Sequence, residues 1–143
     1  MFKLIELAVD YTEASRQAVT LTAEIAKKFD SEVLVEHVLE VAAGVAGLGM
    51  SGPVPPTEET AAEGAELTDA VVKRLTDAGV RARAEVRGGF TDVGQQLLAA
   101  AAENHADLIV MGTRGLSDLG GLIVGSESHR VLRKTTCPVL LVR

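Results

Sequence analysis

The sequence predicts an α/β fold: a five-stranded parallel sheet, in the order 3-2-1-4-5, with helices on both faces. Short apolar segments alternate with segments in which apolar residues recur at helical spacing, a pattern typical of parallel strands joined by right-handed helical crossovers. The segment Leu108–Met111 is apolar throughout, as expected of a strand covered on both faces. A length of 143 residues suits one core, so we expect a single domain over residues 1–143.

The first half of the chain predicts two strands and two helices. Phe2–Val9 is the first strand, and Thr12 is placed to cap the helix that follows. Glu32–Val38 is the second strand, and Gly79 stands where a cap should end the second helix. The buried faces of the two helices are predicted from their apolar residues, which are Ala14, Ala18, Leu21, Ile25 and Phe29 in the first and Leu67, Val71, Leu75 and Ala78 in the second.

The second half predicts three more strands and two more helices. Val80–Val86 alternates strictly between apolar and charged residues, which indicates a half-exposed strand at a sheet edge. A helix over residues 91–104 follows, and then the apolar strand Leu108–Met111. A short helix over residues 126–134 and the strand Val139–Val142 close the chain.

Composition excludes several classes of function. Fourteen Lys and Arg against twenty Asp and Glu give a net charge of −6, which disfavours nucleic acid as a partner, as does the presence of only three Phe, one Tyr and no Trp. Cys137 is the only cysteine, so no intrachain disulfide can form, and we expect a cytoplasmic setting. Neither a signal peptide nor an apolar run long enough for a membrane helix is evident.

The glycines concentrate in two windows. The first lies within the Gly- and Pro-rich connection over residues 41–56, which would serve as a lid or as an arm that binds a partner. The second, Gly112–Gly125, lies between an apolar strand and a helix start and is the candidate site.

Asp10 and Gly112 are expected at one edge of the sheet. They end strands one and four, and ligands of open α/β sheets bind where the strand order reverses, here between those two strands. An acid at one lip suits a sugar hydroxyl, and a glycine loop before a helix suits a phosphate. The alternatives are an Asx turn for Asp10 and a plain N-cap for Ser126.

The glycine loop reads Gly112-Thr-Arg-Gly115, nine further residues, then Gly125-Ser126. This spacing, G-x2-G-x9-G-S, is neither a Walker A motif nor the dinucleotide GxGxxG. It resembles the nucleotide-binding motif of the universal stress protein family. The resemblance covers essentially the whole chain, from Asp10 and His37-Val38 through Ala106-Asp107-Leu-Ile-Val-Met-Gly-Thr to Cys137-Pro-Val-Leu-Leu-Val.

The resemblance implies a Rossmann-like fold, similar to the adenine nucleotide alpha hydrolases, that binds ATP, ADP or AMP. It also implies Mg²⁺ or Mn²⁺ bridging the phosphates and a homodimer formed partly through the C-terminal strand. On the same basis, Asp10 would contact the adenosine, Val38 would offer backbone groups to adenine, and Met111 and Gly112 would line the nucleoside pocket. The residues around the phosphates would be Gly115, Gly125, Ser126 and Ser128.

Three positions depart from the family pattern. Glu127 stands where the family commonly has a small or apolar residue, and its carboxylate would either repel a triphosphate or help to hold its metal. Tyr11 replaces a small residue after Asp10 and would crowd or cover the nucleoside. The segment Gly88–Gly94 is longer than the common form, which changes the rim of the cleft.

Three functions are compatible with these residues. The preferred one is an ATP-binding regulatory module of the stress response, because no Ser/His/Asp or Cys/His spacing supports covalent catalysis and no catalytic residue is assigned. Slow ATP hydrolysis and a dimeric scaffold that binds no nucleotide are the alternatives. The three histidines are scattered, so they indicate no metal site.

Overall fold

The computed structural model describes residues 1–39, 60–88, 93–113 and 126–143, and the side chains of Ser126 and Glu127 lie outside the described part. Strands and helices alternate along the chain. Their bounds are β1 Leu4–Ala8, α1 Glu13–Phe29, β2 Glu32–Val38, α2 Ala61–Asp77, β3 Arg81–Arg87, α3 Val93–Asn104, β4 Leu108–Gly112, α4 Ser126–Lys134 and β5 Val139–Val142.

The strands form one parallel sheet in the order β3-β2-β1-β4-β5. The predicted fold class is therefore confirmed, including the edge position of the alternating strand β3. The central strand β1 lies between β2 and β4, so the strand order reverses between β1 and β4. This reversal is the point at which open α/β sheets leave a crevice at their carboxyl ends.

Helix α1 begins as predicted, and its buried face matches the prediction only in part, at Ala14 and Ala18. Thr12 is the N-cap, and its side chain accepts a hydrogen bond from the Ser15 N–H at 3.2 Å. The buried residues are mostly small, and they are Ala14, Ser15, Ala18, Val19, Thr22 and Ala26. Leu21 and Ile25 are half-buried at the flank, and Phe29 is exposed although its ring contacts Phe2 edge-on. Small residues let the helix axis approach the sheet closely, which the apolar stripe alone did not predict.

Helix α2 ends in the predicted glycine cap. Gly79 has a φ of +83°, and its N–H donates to the Thr76 carbonyl at 2.9 Å. The N–H of Val80 donates to the Leu75 carbonyl at 2.9 Å, which completes a Schellman motif. The left-handed backbone at this position favours glycine because it lacks a Cβ atom.

The two faces of the sheet carry separate apolar clusters. Helices α1 and α2 cover the face that includes Ile5, Leu7 and Val35. Helices α3 and α4 cover the face that includes Ile109 and Met111. In the described part of the chain, no helix has both the length and the apolar character that crossing a bilayer requires.

Candidate functional site

The carboxyl ends of β1 and β4 meet at the first turn of α1. The strands pair up to Leu7 and Val110, so Asp10 and Gly112 follow at the same edge of the sheet. The Asp10 N–H donates to the Ser15 hydroxyl at 3.0 Å, and Gly112 packs against the backbone of Ser15. The structure therefore brings together the two residues that the sequence placed at the lips of the cleft.

Asp10 is half-buried and forms an Asx turn. Its Oδ1 accepts a hydrogen bond from the Thr12 N–H at 2.8 Å and another from the Thr12 hydroxyl. Asp10 therefore forms the Asx turn that the sequence offered as the alternative to a ligand contact. Because both bonds fall on Oδ1, a ligand contact would use Oδ2, and that contact stays a prediction.

Gly112 lies where the end of β4 approaches α1 closely. A Cβ atom at this position would lie 3.1 Å from the Ala14 Cβ and 3.3 Å from the Ser15 nitrogen. The next residue, Thr113, donates its N–H to the Val142 carbonyl of β5 at 2.8 Å. Strand β4 therefore ends in fixed contact with both α1 and β5.

Ser128 lies in α4 and is only 2% exposed. Its hydroxyl donates to the Gly112 carbonyl at 3.2 Å, so it ties α4 to the end of β4. A serine hydroxyl has one proton to donate. Donation to a phosphate would require this proton to leave the Gly112 carbonyl.

Val38 and Met111 belong to one apolar cluster, and each is 6% exposed. The Glu36 carbonyl accepts the Val9 N–H at 2.8 Å, which shows that the backbone groups of Glu36 face β1. Val38 lies two residues further along β2, so its backbone groups face the same side, past the last paired residues of β1. This orientation suits the predicted contact with adenine.

The remaining predicted phosphate residues are only partly described. Gly115 and Gly125 lie outside the described residues, as does most of the Gly88–Gly94 segment. Ser126 is the first residue of α4, but its side chain is not described, and neither is that of Glu127. Within the described residues, no three His, Cys, Asp or Glu side chains are placed to hold a metal.

Ser15 was missed by the sequence analysis. It is 2% exposed and contacts both lips of the cleft. A polar residue on the buried side of a first helical turn, three residues after the N-cap Thr12, is the signal that points to it.

His37 and Tyr11 form a second unpredicted contact beside Asp10. Nδ1 of His37 donates to the Val9 carbonyl at 2.7 Å, so this buried histidine holds the end of β1. The Tyr11 ring meets the His37 ring edge-on, with centroids 5.8 Å apart, and 54% of Tyr11 is exposed. The exposed ring is thus oriented by a buried one.

The sequence profile of the universal stress protein family matches residues 1–143. The chain belongs to the universal stress protein family. Among family members, the universal stress protein MJ0531 of Methanocaldococcus jannaschii is 33% identical, with 100% of this chain and 83% of that protein covered. The universal stress protein from the QAH/OAS sulfhydrylase 3′ region of Thermus aquaticus is also 33% identical, with both chains covered over 100%.

Solved structures of the universal stress protein family share the fold. That of the Archaeoglobus fulgidus protein in complex with dAMP has a TM-score of 0.70 and 18% identity, covering 100% of this chain and 98% of the other. That of an Arabidopsis thaliana family protein with AMP bound has a TM-score of 0.69 and 21% identity, covering 98% and 90%. A universal stress protein in complex with cAMP has a TM-score of 0.70 and 21% identity, covering 99% and 97%.

Proposed function

We propose that this universal stress protein binds an adenine nucleotide in the cleft between β1 and β4 and acts as a nucleotide-dependent regulatory module of the stress response, as a single domain over residues 1–143. One observation carries the proposal: Asp10 and Gly112 meet at the first turn of α1, where the strand order reverses. The glycine-loop motif begins at that point.

The ligands of related structures support an adenine nucleotide. Relatives with the same fold were solved with AMP, dAMP and cAMP, which share an adenine base and one phosphate. In this chain the Val38 backbone would meet the base, with Met111 beside the nucleoside. Asp10 Oδ2 would accept from a ribose hydroxyl, and Thr12 would fix the carboxylate through Oδ1.

The phosphates would lie at the start of α4. The N–H groups of a helix N-terminus favour an anion, and the loop supplies Gly115, Gly125, Ser126 and Ser128. Between Gly112 and Ser128 the charged residues are one arginine and two acids, so no lysine would neutralise a triphosphate. Binding ATP would therefore depend on Mg²⁺ or Mn²⁺ bridging its phosphates.

The proposal includes a homodimer formed through β5. This strand lies at an edge of the sheet, and its residues Val139–Val142 are half-buried within one chain. Pairing with a second copy would satisfy the free edge and cover its apolar side chains. Residence in the cytoplasm, without nucleic-acid or membrane partners, is part of the same proposal.

Nucleotide binding is tested first on the purified protein. We expect denaturation to release an adenine nucleotide, identified by mass and chromatography, and titration calorimetry to detect AMP, ADP or Mg-ATP binding to the emptied protein. No released nucleotide, together with no heat and no thermal shift with any of the three, would refute the proposal.

Asp10 provides a residue-level prediction. Asp10→Ala should weaken nucleotide affinity roughly ten- to hundredfold, because a hydrogen bond to a charged group contributes about 1.5–3 kcal/mol. The measurement is calorimetric titration of each variant with the nucleotide that the native protein prefers.

Thr12→Ala is the matched control for Asp10→Ala. It removes the Thr12 hydroxyl, which bonds to Asp10 Oδ1 and caps α1, but keeps both the carboxylate and the backbone N–H of the Asx turn, so affinity should stay close to that of the native protein. Equal losses of affinity in the two variants would show that Asp10 acts by positioning the start of α1 through the Thr12 hydroxyl and not on the ligand.

A further inference from the structure

Two glutamates are fully buried on the sheet face covered by α3 and α4. Glu6 in β1 pairs with Leu34 on one side and with Ile109 on the other, and all three are 0% exposed. Glu36 in β2 is also 0% exposed and pairs with Ala8. Ala8 lies two residues from Glu6, so the two carboxyl groups emerge on the same face of neighbouring strands.

All four oxygens of the two carboxyl groups are buried, and no N–H or hydroxyl group of the described chain donates to them. The two groups interact with each other, and a hydrogen bond between carboxyls requires that one of them keep its proton. Burying two ionised carboxylates without donors would cost free energy. Burial therefore favours the protonated form of the pair.

One guanidinium borders the pair. Arg87 Nε lies 3.6 Å from Glu36 Oε1, and Arg87 Nη2 lies 2.7 Å from Glu85 Oε1. The same Nη2 also contacts Glu103 of α3. Arg87 is therefore shared among three carboxylates and neutralises Glu36 only in part.

The other elements packed on this face add no further cation among the described residues that face the pair. Strand β3 contributes Glu85 and Arg87, and α3 contributes Glu103. The segment before β5 contributes Cys137. The buried residues that β4 and α4 contribute to the cluster on this face are apolar, and they include Ile109 and Val131.

The surroundings of the pair give its two carboxyl groups different pKa values. Burial is the main reason that the pKa of Glu6 rises to about 10, and the charge of Glu36 and their mutual hydrogen bond add to it. Burial also raises the pKa of Glu36, but the hydrogen bond from Glu6 and the charge of Arg87 hold it to about 7. The folded pair therefore holds two protons in mild acid and one above neutrality.

We propose that Glu6 and Glu36 form a buried proton-binding site, and that its ionisation loosens the packing of α3 on the sheet. When both carboxyl groups of the pair are protonated, Arg87 forms ion pairs with Glu85 and Glu103. Proton loss from Glu36 adds a third negative charge around the same guanidinium. The negative charge of Glu36 would then repel Glu103 and weaken its ion pair with Arg87, which joins β3 to α3.

The direct test is an NMR titration of the glutamate carboxyl carbons in the whole chain. One resonance should titrate with a midpoint near pH 7, and it should be absent from Glu36→Gln. Glu66→Gln, which removes an exposed carboxyl of α2, should leave that resonance in place. If every glutamate of the native protein titrates at its ordinary pKa, the proton site does not exist, and this result needs no variant to fold.

Amide hydrogen exchange in α3 tests the conformational part. After correction for the intrinsic pH dependence, protection should fall between pH 5 and pH 7 by roughly tenfold per pH unit for each carboxyl that the folded state keeps protonated. The double variant Glu6→Gln, Glu36→Gln should lose most of this slope, because an amide does not ionise. An unchanged slope in the double variant would overturn the proposed coupling. Neither experiment involves nucleotide, so both outcomes are independent of the proposed function.

Discussion

Glu6→Leu should raise the free energy of unfolding at pH 7 by roughly 3 kcal/mol. The folded protein must keep Glu6 protonated, with its pKa at about 10, whereas the unfolded chain releases that proton at the ordinary value of 4.5. Leucine has no proton to retain, and its neighbours in register, Leu34 and Ile109, are apolar and buried. The stabilisation would be measured by urea denaturation.

The pH dependence of this gain follows from the sign of the pKa shift. Because the folded pKa lies above the unfolded one, the contribution of Glu6 to stability is fully present below pH 4.5 and is lost as the pH rises toward 10. The advantage of Glu6→Leu should therefore be small at pH 5 and large at pH 8. Glu66→Leu, on the exposed side of α2, should change stability by no more than about 0.5 kcal/mol at either pH. A Glu6→Leu protein less stable than the native one at pH 8 would contradict the burial argument.

Gly112→Val should destabilise the fold by about 1–3 kcal/mol and abolish measurable nucleotide binding. A Cβ at this position already meets the Ala14 Cβ at 3.1 Å and the Ser15 nitrogen at 3.3 Å, and the second of these atoms belongs to the helix backbone. Valine would force the first turn of α1 away from β4 and separate Gly112 from Asp10. Thermal unfolding and calorimetric titration measure the two effects.

Gly88→Val is the control for Gly112→Val. At Gly88 a Cβ would lie 3.4 Å from the Leu39 Cδ1, which is the end of a flexible side chain at ordinary contact distance. Stability should stay near the native value in this variant, and affinity should fall far less than in Gly112→Val, because the contact between α1 and β4 is intact. If Gly112→Val bound nucleotide as tightly as Gly88→Val, the contact between α1 and β4 would not define the cleft.

Much of the fold could be predicted because hydrophobic period and capping residues determine it locally. Strand β2 has the predicted bounds, and Thr12 and Gly79 cap their helices as expected. The buried side of α1 was predicted only in part, since small residues such as Ser15 and Thr22 do not stand out in an apolar pattern. Their burial depends on how closely the helix approaches the sheet.

The candidate site, too, could be predicted only in part. Asp10 and Gly112 could be placed because strand ends and strand order locate them without knowledge of side-chain contacts. The bond from Ser128 to the Gly112 carbonyl could not be predicted, because it depends on how α4 returns to the sheet. The protonation of Glu6 could not be predicted either, since a sequence pattern treats a glutamate as charged and solvated. In the structure its neighbours decide its protonation.

The hydrogen bond from the Thr113 N–H to the Val142 carbonyl would couple the proposed nucleotide binding to the proposed dimerisation. Thr113 is the residue at which the glycine loop departs, and Val142 is the last residue of the edge strand β5. A second copy that pairs with β5 would therefore act, through Val142, on the backbone of Thr113, where the glycine loop begins. If association changes nucleotide affinity by some factor, nucleotide must change the association constant by the same factor. If that factor is favourable, dilution and nucleotide depletion would act on this protein in the same direction.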